Sequence, residues 1–313
     1  MIQIRNFVGK DVEPLRRLWN RAHPTQTMNE NLFARKLLLD PNFLPNSMFL
    51  ACKDDRIVGM AYAPHRLFSI SRKDDLEPDR GYITYFAVDP EFSVFEVGTM
   101  LLGACESHLI ALGKTTITTG YAPIYLNQGF LTTETEYVEL FQSFGYSPAE
   151  SATRNLNLDE ATLRTDLDAR RASLAAGGIY IGALTPEYIV SYLDEDNTFS
   201  NVSWAFEFRT RITSRLDYES VRIAAKDGNV IGACVFGDPN SDAERFGPFG
   251  VDRAYRGRGI GTILLDDCLN EMKKRGLKRA WMQWTPIEGA ANAVYSRAGF
   301  QIIDRLYSFT KQI

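Results

Sequence analysis

Apolar residues alternate through "SMFLACKDDRIVGMAYA", Ser47 to Ala63, and again through "SVRIAAKDGNVIGACVFG", Ser220 to Gly237, 173 positions later. In both stretches the alternation halts at a polar turn, "KDD" or "KDG", and then resumes, which predicts a β-hairpin in each half. A second correspondence joins "VDPEFSVFEVGTMLLGAC", Val88 to Cys105, to "VDRAYRGRGIGTILLDDC", Val251 to Cys268, at an offset of 163. In each line a strand runs into a turn and then into a long helix of apolar period. A third pairs "ELFQSFGY", Glu139 to Tyr146, with "AVYSRAGF", Ala293 to Phe300. There a short amphipathic helix ends at a glycine suited to the left-handed cap, and an aromatic residue opens the next strand.

Each half therefore reads as strand, one or two helices, hairpin, strand, long helix, strand, helix and closing strand. The expected class is α/β (α+β): two tandem domains, each a mixed, mostly antiparallel sheet flanked by helices. The charged, helix-prone stretch "NLDEATLRTDLDARRASLAAGG" ends in paired glycines, so the boundary is set near Arg170, giving domains 1–169 and 170–313. One long duplication without a short period excludes a solenoid.

Composition narrows the partners. A chain of 313 residues with 45% hydrophobic residues supplies two ordinary cores. A net charge of -4 gives no global attraction to nucleic acid or anionic membrane, so neither is expected as a partner. No segment approaches the roughly 20 apolar residues of a bilayer span, and the N-terminal residues lack a signal-peptide core. A cytoplasmic protein is expected, as monomer or homodimer. Cys52, Cys105, Cys234 and Cys268 stand singly in apolar runs, which suits reduced core thiols; no metal site is expected.

The charged chemistry concentrates in "RGRGIG". A strand feeding a glycine-rich turn that opens a helix presents free backbone N–H groups at the positive end of the helix dipole, an anion site. Gly257, Gly259 and Gly261 remove the Cβ atoms that would block a phosphate, and Arg256 and Arg258 add positive charge. A diphosphate is the natural guest, although glycines at such a junction also serve plain tight packing. The spacing fits neither the G-x-G-x-x-G dinucleotide loop nor a P-loop.

Arg256 to Gly261, with the preceding "VD" and the later "YSRAGF", resembles the [QR]-x-x-G-x-[GA] and Y-x-x-x-G-F segments of the GNAT N-acetyltransferase superfamily. The chain is accordingly identified as similar to a tandem GNAT protein. The resemblance implies acetyl-CoA as acyl donor, held by the main chain of Arg256, Gly257, Arg258, Gly259, Ile260 and Gly261. It places the pantetheine arm against Gly250 and Val251, whose main-chain N–H would polarise the thioester. Tyr295 falls where many members keep a tyrosine that protonates the departing thiolate, or its ring simply plugs the sheet. Where many members carry a cofactor-contacting asparagine this chain has Glu288, and Asn292 lies in another register; neither is assigned.

In the first half Arg256, Gly257, Arg258 and Gly259 become Ser93, Val94, Phe95 and Glu96, and Tyr295 becomes Phe141. A carboxylate at a helix N-terminus takes the amides that a diphosphate would use. The first half is expected to keep the fold without the acyl-CoA site. Its long loops, His65 to Tyr85 and Gly120 to Tyr137, are expected at an acceptor or at an interface. A general base is sought among Asp238, Asp242, Glu244 and Glu207, with Glu244 chosen; His23, His65 and His108 have no metal-ligand spacing and no catalytic part. The expected function is acyl transfer to an amine, small-molecule or peptide, by direct attack. The competing reading is a non-catalytic acyl-CoA-binding or interaction module.

Overall fold

The two stretches of alternation fold as hairpins, each closed by two left-handed residues: Asp54 (φ 48°) and Asp55 (φ 62°) in one, Asp227 (φ 50°) and Gly228 (φ 79°) in the other. That is the turn whose twist matches paired strands. The structure, a computed structural model, describes residues 1–70, 76–121, 129–164, 166–197, 199, 204–206, 208–209, 217–238 and 242–313. The chain divides into two units, Met1–Glu150 with Arg305–Ile313, and Ser151–Asp304.

In the first unit β1 (Gln3–Asn6), β2 (Met48–Lys53), β3 (Arg56–Tyr62) and β5 (Thr84–Val88) form an antiparallel sheet in that order. β4 (Arg80–Tyr82) runs parallel to β6 (Thr116–Thr118), and β7 (Phe130–Leu131) follows. One face packs Leu101, Leu102 and Cys105 of the long helix against Phe130 and Phe141; the other packs Leu15, Leu18, Trp19 and Phe33. These come from helices α1 (Val12–Ala22), α2 (Glu30–Phe33), α3 (Val94–Ala111) and α4 (Thr135–Ser143). By length and composition alone α3 could cross a membrane, which the reading of the sequence did not anticipate. Here its Val97, Leu101, Leu102 and Cys105 lie fully buried in the core.

The second unit repeats the plan with β9 (Ile179–Ala183), β10 (Val221–Lys226), β11 (Asn229–Asp238) and β12 (Asp242–Val251) antiparallel in order, then β13 (Arg279–Thr285) parallel to β12. Its helices are α5 (Leu167–Ala176), α6 (Ile189–Tyr192), α7 (Ile260–Lys274) and α8 (Gly289–Arg297). Two cores again cover the sheet, one with Leu264, Cys268 and Phe300, the other with Tyr192, Phe199, Phe208 and Ile223.

The closing strands do not respect a division at residue 170. β8 (Ser147–Asn157) pairs with β13 from Ala152 to Asn157, and β14 (Gln301–Gln312) pairs with β6 and β7 from Leu306 to Gln312. Residues 151–169 thus belong with the second unit and 305–313 with the first, and the stretch around Arg170 is helix α5. Alternation marks a strand without naming its neighbour, so the pairing partner was not readable.

Candidate functional site

β12 and β13 are paired with each other only at Arg245 and Trp281 among the described residues, after which β12 runs on beside β11 to Val251 and β13 beside β8 to Thr285. The result is a parallel pair that splays open toward its C-terminal ends. A bulge assists: between Cys234 and Phe236 two steps of β11 oppose the three steps from Phe246 to Phe249 on β12. Past the bulge, Asp252 N–H donates to Ile231 C=O at 2.8 Å. By antiparallel alternation Gly250 and Ala233 are then the hydrogen-bonded pair, and the N–H and C=O groups of Phe249 and Val251 turn into the splay.

Val251 C=O is taken there by Arg256 Nε at 3.0 Å. For Val251 N–H and Phe249 C=O no partner is recorded among the described residues. Gly250 turns its own N–H toward β11, which corrects its expected role as a donor. A Cβ at Gly250 would sit 2.2 Å from the Phe199 carbonyl oxygen, so this glycine is there for close approach.

The strand passes through a single 3-10 turn, Arg253–Tyr255, into the glycine loop. Gly257 (φ 78°) and Gly259 (φ 79°) are left-handed, and a Cβ on either would meet open space. Gly261 is different, since its Cβ would touch Phe249 and Val251 at 3.4 Å; it lets the helix lie close to the strand. Gly259 caps α7 with no side-chain hydrogen bond and no acidic residue in the first turn, so no cap or first-turn carboxylate takes the first N–H groups of α7. Arg258 lies 5.3 Å from the Tyr255 ring, and Arg256, Gly257, Arg258 and Gly259 are all exposed, while Ile260 anchors the helix in the core.

Tyr295, on α8, is 7% exposed, with its ring centroid 6.0 Å from Phe249 and 5.9 Å from Phe300. Burial pushes its phenol well above the usual tyrosine value, which favours the protonated form. Beside it lies Arg154 of β8, 1% exposed, its guanidinium carbon 5.9 Å from the ring centre. Arg154 donates to Thr285 Oγ1 at 3.0 Å, Pro286 C=O at 3.2 Å and Asn292 Oδ1 at 2.5 Å. A bulge in β13 sets this up: from Met282 to Thr285 three steps oppose the two from Arg154 to Ala152, with Trp284 at φ 60°.

The side chain expected as base is engaged within the sheet. β12 begins at Asp242, four residues earlier than alternation suggested, so Asp242 and Glu244 are strand residues rather than an acidic loop. Glu244 accepts Lys278 N–H at 2.9 Å, Arg279 N–H at 3.2 Å and Arg279 Nε at 2.7 Å. Partial burial would raise its carboxyl, but these N–H groups and the Arg279 guanidinium hold it below the usual range. It pins the closed end of the splay. Asp242 accepts from Trp281 Nε1 at 2.7 Å and does the same work. Glu207, the Asp238 side chain and residues 71–75 and 122–128 of the two long loops lie outside the described residues.

The first unit closes every one of these features. Ser93 caps α3 by accepting Glu96 N–H at 3.2 Å, and Glu96 sits in the first turn. At the offset of 163 the counterparts of Phe249 and Val251 are Phe86 and Val88. Phe86 C=O accepts from His23 Nε2 at 3.0 Å, and Val88 N–H donates to the Tyr137 hydroxyl at 3.0 Å. Phe130 stacks on Tyr137 at 4.8 Å, and the other His23 nitrogen meets Glu134 at 2.9 Å. At the helix offset of 154 Tyr137 answers to Ala291, so the hydroxyl that fills one splay is a methyl in the other. Reading the sequence missed His23, Tyr137 and Arg154. The substitution of tyrosine by alanine between copies was a usable signal; nothing local distinguishes Arg154.

A model of the family described as Acetyltransferase (GNAT) matches residues 12–123 and 185–300, most of the chain and once in each half. The chain is 36% identical over 50 residues to [Ribosomal protein bS18]-alanine N-acetyltransferase of Escherichia coli (strain K12), an alignment covering 16% of this chain and 34% of that one. Among solved structures it resembles the GCN5-related glucosamine N-acetyltransferase region of a fungal multi-domain GH3 β-N-acetylglucosaminidase (TM-score 0.80, 15% identity), over 99% of this chain and 38% of that one. It also resembles a GCN5-related N-acetyltransferase of Sphaerobacter thermophilus (TM-score 0.71, 18% identity, 99% and 95% covered). A tandem GNAT protein from the clavulanic acid biosynthesis pathway gives TM-score 0.62 at 15% identity, with 100% and 98% covered. The two family matches, one per half and together covering most of the chain, lead to one statement: the chain belongs to the acetyltransferase (GNAT) family, in tandem form.

Proposed function

We propose that the chain is an N-acyltransferase that takes its acyl group from acetyl-CoA in the second unit alone and delivers it to a primary amine. The observation that carries this reading is the contrast between the copies: one has an uncapped glycine turn and an unsatisfied strand edge, the other fills both with its own side chains. Acetyl-CoA would supply an activated thioester carbonyl and a diphosphate. The N–H groups opening α7, with Arg256 and Arg258 beside them, suit the diphosphate. Val251 N–H and Phe249 C=O offer an extended arm the hydrogen bonds of an added strand. A main-chain donor near the thioester oxygen contributes a few kcal/mol, on the order of 3, to the reaction. Tyr295 holds a proton beside the same strand and is placed to give it to the leaving sulfur.

Asp242 and Glu244 are engaged within the sheet, and on this reading the attacking amine passes its proton to solvent. Relatives whose names specify a ribosomal-protein alanine and glucosamine support a primary amine as acceptor, small molecule or peptide. The test is release of free thiol from acetyl-CoA in the presence of an amine panel that includes glucosamine and a peptide beginning with alanine. Amine-dependent thiol release is expected. Tight acetyl-CoA binding with no release for any amine would favour the binding-module reading.

A further inference from the structure

Resting on the proposed role of Tyr295, we propose that Arg154 is a positioning residue that orients Tyr295 and supplies the positive field under which the departing sulfur is protonated. The observation is a buried guanidinium for which no carboxylate partner is recorded among the described residues. Its recorded acceptors are a hydroxyl, a main-chain carbonyl and an amide oxygen, all neutral. A fully desolvated cation without a counter-ion is costly, and folded proteins ordinarily pair it. Elsewhere in this unit they do: Asp267 meets Arg171 and Arg222, and Arg275 meets Asp217. Arg154 instead spends its hydrogen bonds on holding its own plane still, through the bulged β13 and the helix that carries Tyr295.

The charged and titratable groups that face Tyr295 are few. From β8 comes Arg154, and from β11 comes Cys234, whose thiol burial pushes well up and so keeps neutral. Arg154 is therefore the single charge recorded on Tyr295 among the described residues. It acts against burial, favouring the phenolate that Tyr295 becomes on giving up its proton. In the step itself the amine nitrogen bonds to the acyl carbon and the carbon–sulfur bond breaks. Sulfur leaves with the electron pair and takes the Tyr295 proton. The amine releases its surplus proton to solvent, and Tyr295 recovers one from solvent. Negative charge passes from sulfur to phenol oxygen, and a fixed cation under the ring stabilises both ends of that transfer.

The test needs no acceptor. Free CoA and desulfo-CoA, which lacks the thiol, are titrated into the full chain between about pH 6 and about pH 9, a range that spans an ordinary thiol pKa. In the unaltered protein the preference for CoA over desulfo-CoA should grow about tenfold across that range, as thiolate replaces thiol beside the cation. In Arg154→Gln the preference should stay flat while desulfo-CoA binds as before; Arg154→Lys should restore part of the rise. Equal weakening of both ligands at every pH in Arg154→Gln would mean a purely structural residue and overturn the assignment. So would a flat preference in the unaltered protein, whatever the variants do. Failure of CoA itself to bind would instead defeat the proposed function on which this rests.

Discussion

Tyr295→Phe is expected to lower kcat by about 10²–10⁴-fold while leaving the acetyl-CoA Kd within about twofold. The ring carries the packing: it is 7% exposed and lies against Phe249 and Phe300, and phenylalanine reproduces all of it. The hydroxyl has no recorded hydrogen bond in the described structure, so its removal strands no partner. The first unit already holds the phenylalanine form at this place, Phe141, fully buried. Loss of turnover with stability and binding retained therefore isolates the proton. Steady-state kinetics with calorimetry on the same preparation check it, and an unchanged kcat would remove Tyr295 from the chemistry.

Gly259→Glu is expected to lose acetyl-CoA affinity by more than about 100-fold, equivalent to about 2.7 kcal/mol. Two effects add. The residue sits at φ 79°, where a side chain is strained by about 1–3 kcal/mol, so the turn that aims the helix amides is distorted. A carboxylate at that cap also competes for the N–H groups and the helix dipole. Gly259→Ala separates the two, since it strains the turn and adds no charge; an intermediate loss is expected. Affinity that survives Gly259→Glu would place the diphosphate elsewhere.

Much of this molecule was legible in local sequence, and the reasons are physical. Hairpins announce themselves because alternation and turn chemistry act over a few residues, and "KDD" and "KDG" adopt the left-handed pair the twist demands. The glycine turn was legible for the same reason. Gly250 was not read correctly, because only the register with Ala233 reveals which way its N–H turns. The bonding of Glu244 was not legible, because acidic residues ahead of a strand look solvated until β12 is found to begin at Asp242. The exchange of closing strands and the placing of Arg154 depend on pairing across more than a hundred residues, and no local pattern encodes that. The plug of His23 and Tyr137 belongs with them: loss of the glycine turn from the first copy was visible at Glu96, but the filled strand edge was not.

That asymmetry is the centre of the account, and calorimetric titration of acetyl-CoA into the full chain measures it most directly. One equivalent per chain is the predicted result, with the heat abolished in Gly259→Glu. Two equivalents would mean that Phe86 and Val88 remain available despite His23 and Tyr137, and none would mean that the open edge at Phe249 and Val251 serves something else.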